Sequence, residues 1–257
     1  MAHVPRCLVP DLHADELLLD EPARHHVERV LRLRTGEELL LVDGRGGLAR
    51  ARLAAPGRAR IESRDAPQPP EAHAVQLAVA VPRLPRLEWL VEKACELDVT
   101  RLLLLETQHG ERGLGDARLQ RLRRLADEAL LQCGRLHRMA VEAPAPLAAV
   151  LDRAGDAELW LASPPAGAHA TNSAEPSRAP DRAPDRALLV LVGPEGGFTA
   201  AEQAAALGRG ARCVSLGATV LRVETAALAL AVMARAATLA RPAGHSPAGG
   251  EPHGSLR

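Results

Sequence analysis

Arg222 and Glu224 flank Val223 at the mouth of a long apolar helix pattern, and Glu195 stands among glycines in Gly193-Pro194-Glu195-Gly196-Gly197. One guanidinium and two carboxylates so placed can hold developing charge, orient one another or move a proton. Plain readings stand beside these: a carboxylate stabilised at a helix N-terminus, and a solvated Arg–Glu pair. The turns that carry them are more specific. Leu191 to Thr199 closes an apolar run and opens a helix, and Leu216-Gly217-Ala218-Thr219-Val220-Leu221-Arg222-Val223-Glu224-Thr225 does so again. Glycine lets backbone groups approach a ligand closely, and open α/β sheets bind ligands beyond the carboxyl ends of their strands. The spacing is neither G-x-G-x-x-G nor G-x-x-x-x-G-K-[ST], and Lys93 is the only lysine in the chain. A backbone-lined pocket without a phosphate lysine suits a ligand read by its adenine and ribose edges.

These segments resemble the SPOUT class of S-adenosylmethionine (SAM) methyltransferases, and within it the RsmE family, which methylates N3 of a uridine in small-subunit ribosomal RNA. The family pattern L-[IV]-G-P-E-G-G-[FL] is met through Gly193 to Phe198, and L-G-x-R-[IV]-L-R-x-E-T-A at Leu216, Gly217, Leu221, Arg222, Glu224, Thr225 and Ala226. Val91-Glu92-Lys93-Ala94-Cys95-Glu96-Leu97 and Gln132-Cys133-Gly134-Arg135 extend the likeness over nearly the whole chain. Departures from the pattern are Asp98 for a glycine, Leu131 for a glutamate, Thr219 for an arginine, and Glu111-Arg112-Gly113 against an arginine-serine pair.

The resemblance implies an α/β SPOUT methyltransferase domain with a C-terminal trefoil knot, preceded by a small PUA-like β-barrel domain. It also implies SAM as cofactor, held by Leu161, Val192, Gly193, Glu195, Gly196, Gly197, Leu216, Gly217 and Leu221. A homodimer would complete that site. Methylating N3 of uracil removes an imide proton and spreads charge over the flanking carbonyl oxygens. Arg222 is the candidate cation for that charge, and Glu224 would orient the arginine or accept the proton. Arg135 and Arg138, with Arg32 and Arg34 in the first domain, are the candidate phosphate contacts. The run Arg118, Arg121, Arg123 and Arg124 reads first as a solvated helix face. Three other functions remain in view: a noncatalytic RNA-binding accessory protein, a SPOUT enzyme acting on another RNA position, and a hydrolase using Glu195 with Glu224. The last lacks an accompanying metal or nucleophile motif.

Composition restricts the partners. The 32 basic and 32 acidic side chains cancel, so any RNA contact must be a local patch rather than a global field. Trp89, Trp160 and Phe198 are the only aromatics, too few for recognition by base stacking. Cys7, Cys95, Cys133 and Cys213 form no C-x-x-C, and the ten histidines show no metal-binding spacing, which points to a reduced cytoplasm and no metal. The N-terminus has no continuous apolar leader and Arg235 interrupts the most apolar helix, so no secretion or membrane span is expected.

Two domains, 1–70 and 71–242, follow from the pattern. The first reads as short strands with a helix near 21–32, a hairpin turning at Asp43-Gly44 between 39–42 and 48–51, and a strand at 59–62. The proline-rich stretch 66–71 separates it from an alternation typical of parallel sheets: strand 75–81, helix 84–97, strand 101–105, helix 116–132, strands 157–162 and 187–192. Thr199 and Glu202 are in capping-box register, a strand follows at 211–215, and the terminal helix is expected over 225–240. Residues 163–186 and 243–257 lack core-forming composition and are expected to be a disordered insertion and tail.

Overall fold

The computed structural model describes residues 4–71, 74–110, 113–163 and 186–239. Its first sheet holds β1 (Arg6–Leu8), β2 (Glu16–Leu18), β3 (Glu38–Val42), β4 (Leu48–Ala55) and β5 (Arg58–Arg64), in the order β1-β3-β4-β5-β2. Alternation along β4 explains its two faces: Ala49, Ala51 and Leu53 turn inward, while Arg50 and Arg52 face solvent. Helix α1 (Glu21–His25) starts where Asp20 accepts a hydrogen bond from the Ala23 N–H at 2.9 Å. It is shorter than the sequence pattern suggests. A π-helical turn, His26–Val30, succeeds it, and Arg32 leaves in a left-handed conformation at φ +55°. Ala23 and Val27 close the small core against Cys7, Leu39, Leu41 and Leu53.

The second sheet is wholly parallel. Its strands are β6 (Val75–Ala80), β7 (Arg101–Glu106), β8 (Ala140–Val141), β9 (Ala145–Pro146), β10 (Glu158–Ala162), β11 (Leu188–Val192) and β12 (Arg212–Val214). Their order is β12-β10-β11-β6-β7-β8, with β9 also on β7. Successive residues of one strand serve opposite cores, as the pleat requires. Leu77, Val79, Val190 and Val192 pack beneath α2 (Leu84–Glu96), α3 (Asp116–Cys133) and α6 (Val223–Leu239). Ala78, Leu189 and Leu191 pack on the other face with α4 (Leu147–Arg153) and α5 (Ala200–Gly208). The short elements β8, β9 and α4 carry too little periodicity to be read from sequence, and α6 begins two residues earlier than the pattern suggests. Apart from its two end residues, the insertion expected at 163–186 lies outside the described residues, as does the tail 243–257.

The β3–β4 turn docks one domain on the other. Asp43 Oδ1 accepts from the N–H groups of Arg45 and Gly47 at 2.7 and 2.9 Å, shaping the turn at its own base. The Gly46 N–H then bonds the Leu136 carbonyl at 3.0 Å, and its carbonyl accepts from Gln68 at 3.0 Å. Gly46 sits at φ +101°, and a Cβ there would fall 2.1 Å from the Gln68 carbonyl oxygen, so no other residue fits without moving backbone. Leu8, Val42 and Leu48 extend the larger core across this junction.

Candidate cofactor site and RNA-facing surface

Both glycine turns lie beyond the carboxyl ends of parallel strands, the first after β11 and the second after β12. In the first, Gly197 closes the bend through its N–H to the Pro194 carbonyl at 2.8 Å and adopts φ +72°, a conformation natural to glycine. Thr199 and Glu202 form the anticipated capping box: the Glu202 N–H reaches Thr199 Oγ1 at 3.2 Å, and Glu202 Oε2 accepts from the Thr199 N–H at 2.8 Å. Glu202 Oε1 also accepts from the Gln108 N–H at 3.0 Å, and His109 Nδ1 lies 3.3 Å from the Gly197 carbonyl. The loop after β7 thus buttresses this turn. The second turn passes through Gly217 at φ +125°. At Gly197 and Gly217 alike, nothing lies within 4 Å of where a Cβ would stand.

The charged groups converge from three elements. Arg86, in the first turn of α2, directs Nη1 to Glu195 Oε1 at 3.3 Å and Nε to Glu224 Oε1 at 3.7 Å. Glu224, in the first turn of α6, has only 6% of its surface exposed, and its Oε2 is buried with no hydrogen-bond partner. A buried unpaired carboxylate oxygen is costly, and is the expected signature of a place where a ligand's donor belongs. Arg222 is exposed, with no side-chain partner among the described residues. The arginine that Glu224 meets is therefore Arg86, not its near neighbour in sequence. Of the anticipated cofactor contacts, Val192, Gly193, Glu195, Gly196 and Gly197 gather on the first turn, and Leu216, Gly217 and Leu221 on the second. Leu161, at the end of β10 between them, has its side chain in the core beside Leu189, Leu191 and Phe198.

The four anticipated phosphate contacts divide. Arg135 has a side chain only 10% exposed, and its Nη1 donates to the carbonyls of Cys95 and Val99 at 3.0 and 2.8 Å while Nε meets Asp98 Oδ1 at 2.8 Å. It is spent on securing the C-terminal end of α2. Asp98 stands at φ +62°, which accounts for the glycine that the family pattern carries there. The strain is offset by a second partner, since Asp98 Oδ2 also meets Arg235 Nη2 at 2.8 Å, and Arg235 reaches on to Glu71. Arg138 pairs with Asp127 at 2.9 Å but stays half exposed. Arg32 and Arg34, with Arg29, are exposed and lack side-chain partners among the described residues. That sets them apart from the sheet arginines of the same domain, where Arg50 pairs with Glu38, Arg52 with Glu62, and Arg58 and Arg60 with Glu16.

The sequence profile of the RNA methyltransferase domain matches residues 69–235, and that of the RNA methyltransferase PUA domain matches 19–64. The chain belongs to the RsmE family of RNA methyltransferases. A Synechocystis relative named ribosomal RNA small subunit methyltransferase E is 31% identical over 216 residues, covering 79% of this chain and 67% of that protein. Among solved structures, the same-named protein from Neisseria gonorrhoeae, bound to SAM, has 28% identity and a TM-score of 0.75 over 89% of this chain and 95% of its own. A Legionella pneumophila chain, also solved with SAM, has a TM-score of 0.77 at 25% identity, covering 90% and 97% of the two chains. The architecture is the SPOUT α/β fold behind a PUA-like domain.

Sequence reasoning missed two residues of this RsmE-family site, Arg86 and His109. Both follow strands of the same sheet, β6 and β7, at the edge where the two turns lie. The rule that points to the glycine turns would have reached them, had the loops after those neighbouring strands been searched for charged groups.

Proposed function

We propose that this protein uses SAM to methylate N3 of a uridine in small-subunit ribosomal RNA. The observation that carries the reading is the buried, unpartnered Oε2 of Glu224 at the start of the helix that follows the second glycine turn, where Gly217 has open space at the position of a Cβ. These are features a bound cofactor and base would complete, and relatives of the same fold were solved with SAM. When bound, SAM supplies a methyl group on a sulfonium. The turn residues Val192, Gly193, Glu195, Gly196, Gly197, Leu216, Gly217 and Leu221, with Leu161 behind them, would hold it. N3 exchanges one proton for one methyl group, so each turnover releases a proton. Glu224, the enclosed carboxylate, accepts the imide proton and passes it to water. Arg222, exposed and without a carboxylate partner among the described residues, would lend its charge to the uracil oxygens as negative charge spreads onto them.

The wider organisation follows the family. Domain 1–70 would present RNA contacts through Arg32 and Arg34, joined by Arg138 from domain 71–242. Helix α6 follows the edge strand β12, yet packs on β6, β11 and α2. That recrossing of the sheet supports the trefoil knot. A homodimer is supported by apolar side chains left in solvent on and beside two helices that pack together: Trp89 of α2, Val232 of α6, and Val220 before it, which are 46%, 47% and 68% exposed. On the same helix Leu228 packs against the chain's own core instead. We place the enzyme in the cytoplasm, with its ribosomal substrate.

The test is direct. The purified protein, tritiated SAM and small subunits from a strain lacking the modification should yield N3-methyluridine by mass mapping. Methyl on a ribose or on another base would overturn the uracil-N3 reading.

A further inference from the structure

We infer that Arg86 is the positioning residue of this site, setting Glu224 for its role and holding the two SAM turns in register through Glu195. The inference rests on the function proposed above. One guanidinium touches both turns, with Nη1 on Glu195 of the first and Nε facing Glu224 of the second. Its fork spans the pair from the first turn of α2, a helix whose Leu87, Leu90 and Val91 are fully buried and which packs against α6. Helix α2 thereby ties Glu195, carried on an irregular turn, to Glu224 in the first turn of α6. Arg86 also engages only Oε1 of Glu224, leaving Oε2 bare. A carboxylate met at one oxygen and open at the other is aimed, which is what an acceptor of the imide proton requires.

Two consequences separate positioning from mere charge compensation. Arg86→Met should lower kcat at saturating SAM and RNA by roughly tenfold or more, by analogy with the loss of a preorganised contact. In a Glu224→Gln background the same substitution should change kcat little, because Arg86 acts on kcat through Glu224. The second consequence is read without turnover. SAM and S-adenosylhomocysteine affinity by calorimetry should weaken severalfold on Arg86→Met in both backgrounds, because the link to Glu195 is lost in each. The melting temperature of the SAM-free protein should fall for Arg86→Met and recover in the double variant, where no buried charge is left unpaired.

Arg86→Lys keeps the charge and guards against a variant that fails to fold. Its single ammonium cannot reach both carboxylates, so kcat and affinity should both stay below wild type. Unchanged kcat in a folded Arg86 variant, or multiplicative kcat losses in the double variant, would overturn the inference. Recovery of SAM affinity together with melting temperature in the double variant would reduce Arg86 to a structural counter-ion, and so would also overturn it. Failure of the wild-type protein to bind SAM or to form N3-methyluridine would instead strike the proposed function, and is read in the same experiments.

Discussion

Arg222 and Arg135 carry the same guanidinium to opposite ends. Arg222 is exposed and has no side-chain partner among the described residues, whereas Arg135 is enclosed and engaged by two carbonyls and a carboxylate. Substitution should therefore separate catalysis from stability. Arg222→Ala should keep SAM affinity within a small factor while methyl transfer falls roughly a hundredfold or more, as for loss of one preorganised donor. Wild-type turnover in that variant would remove Arg222 from the chemistry. Arg135→Met should do the reverse, lowering stability by about 2 kcal/mol through an orphaned Val99 carbonyl and the loss of one of the two arginines that meet Asp98. A urea midpoint unmoved from wild type, with unchanged slope, would contradict that. Arginine alone did not distinguish these fates in the sequence. What decides them is that Arg135 follows the C-terminal end of α3 and meets the C-terminal end of α2, a long-range encounter that local pattern does not encode. The glycine turns, by contrast, were legible because their conformational demand is written in the residues themselves: Gly197 and Gly217 both have positive φ.

At the scale of elements, strong periodicity was readable and short or strained pieces were not. Helices α2 and α3 and strands β6, β7 and β11 lie within a residue or two of their sequence-based bounds, because each is long and buries a continuous stripe. The helix anticipated over 21–32 instead breaks into a π-helical turn and a left-handed Arg32. Ala23 and Val27, four residues apart, still face the small core together. The start of α5 was readable to the residue through Thr199 and Glu202. Thr199→Ala should cost about 1 kcal/mol, the usual worth of an N-cap. Glu202 should then also lose part of its hold on the loop at Gln108, so SAM affinity should fall with stability. Calorimetry giving wild-type affinity for Thr199→Ala would separate the cap from the site.

The whole molecule depends on a junction narrower than either core. Gly46→Ala would drive a methyl group into the Gln68 carbonyl and force a β-carbon into φ +101°. It should destabilise by more than about 1 kcal/mol and expose the connecting segment 65–71 to protease. Equal cleavage rates for variant and wild type would mean that the junction bears little of the load. Charge distribution makes a second expectation at this scale. With zero net charge and the β-sheet arginines neutralised, RNA affinity should depend on the few uncommitted cations. Replacing Arg29, Arg32 and Arg34 together by serine should weaken binding to the small subunit and flatten its salt dependence by up to about three phosphate contacts. An unchanged salt slope would place the RNA elsewhere. Light scattering tests the dimer: a monomer mass at micromolar concentration would leave Trp89 and Val232 without their proposed partner.

Asp98 carries a historical consequence. Glycine occupies this position freely, but an aspartate there must be tolerated in a left-handed backbone, and two arginines surround it. Arg135 serves the carbonyls of Cys95 and Val99 whichever residue stands at 98, so it was available before the exchange. Arg235 is different, since it meets Asp98 and Glu71. Lineages that acquired the aspartate should therefore also carry arginine at 235. The order of those exchanges would be recorded in the family tree, with the permissive arginine preceding the strained aspartate.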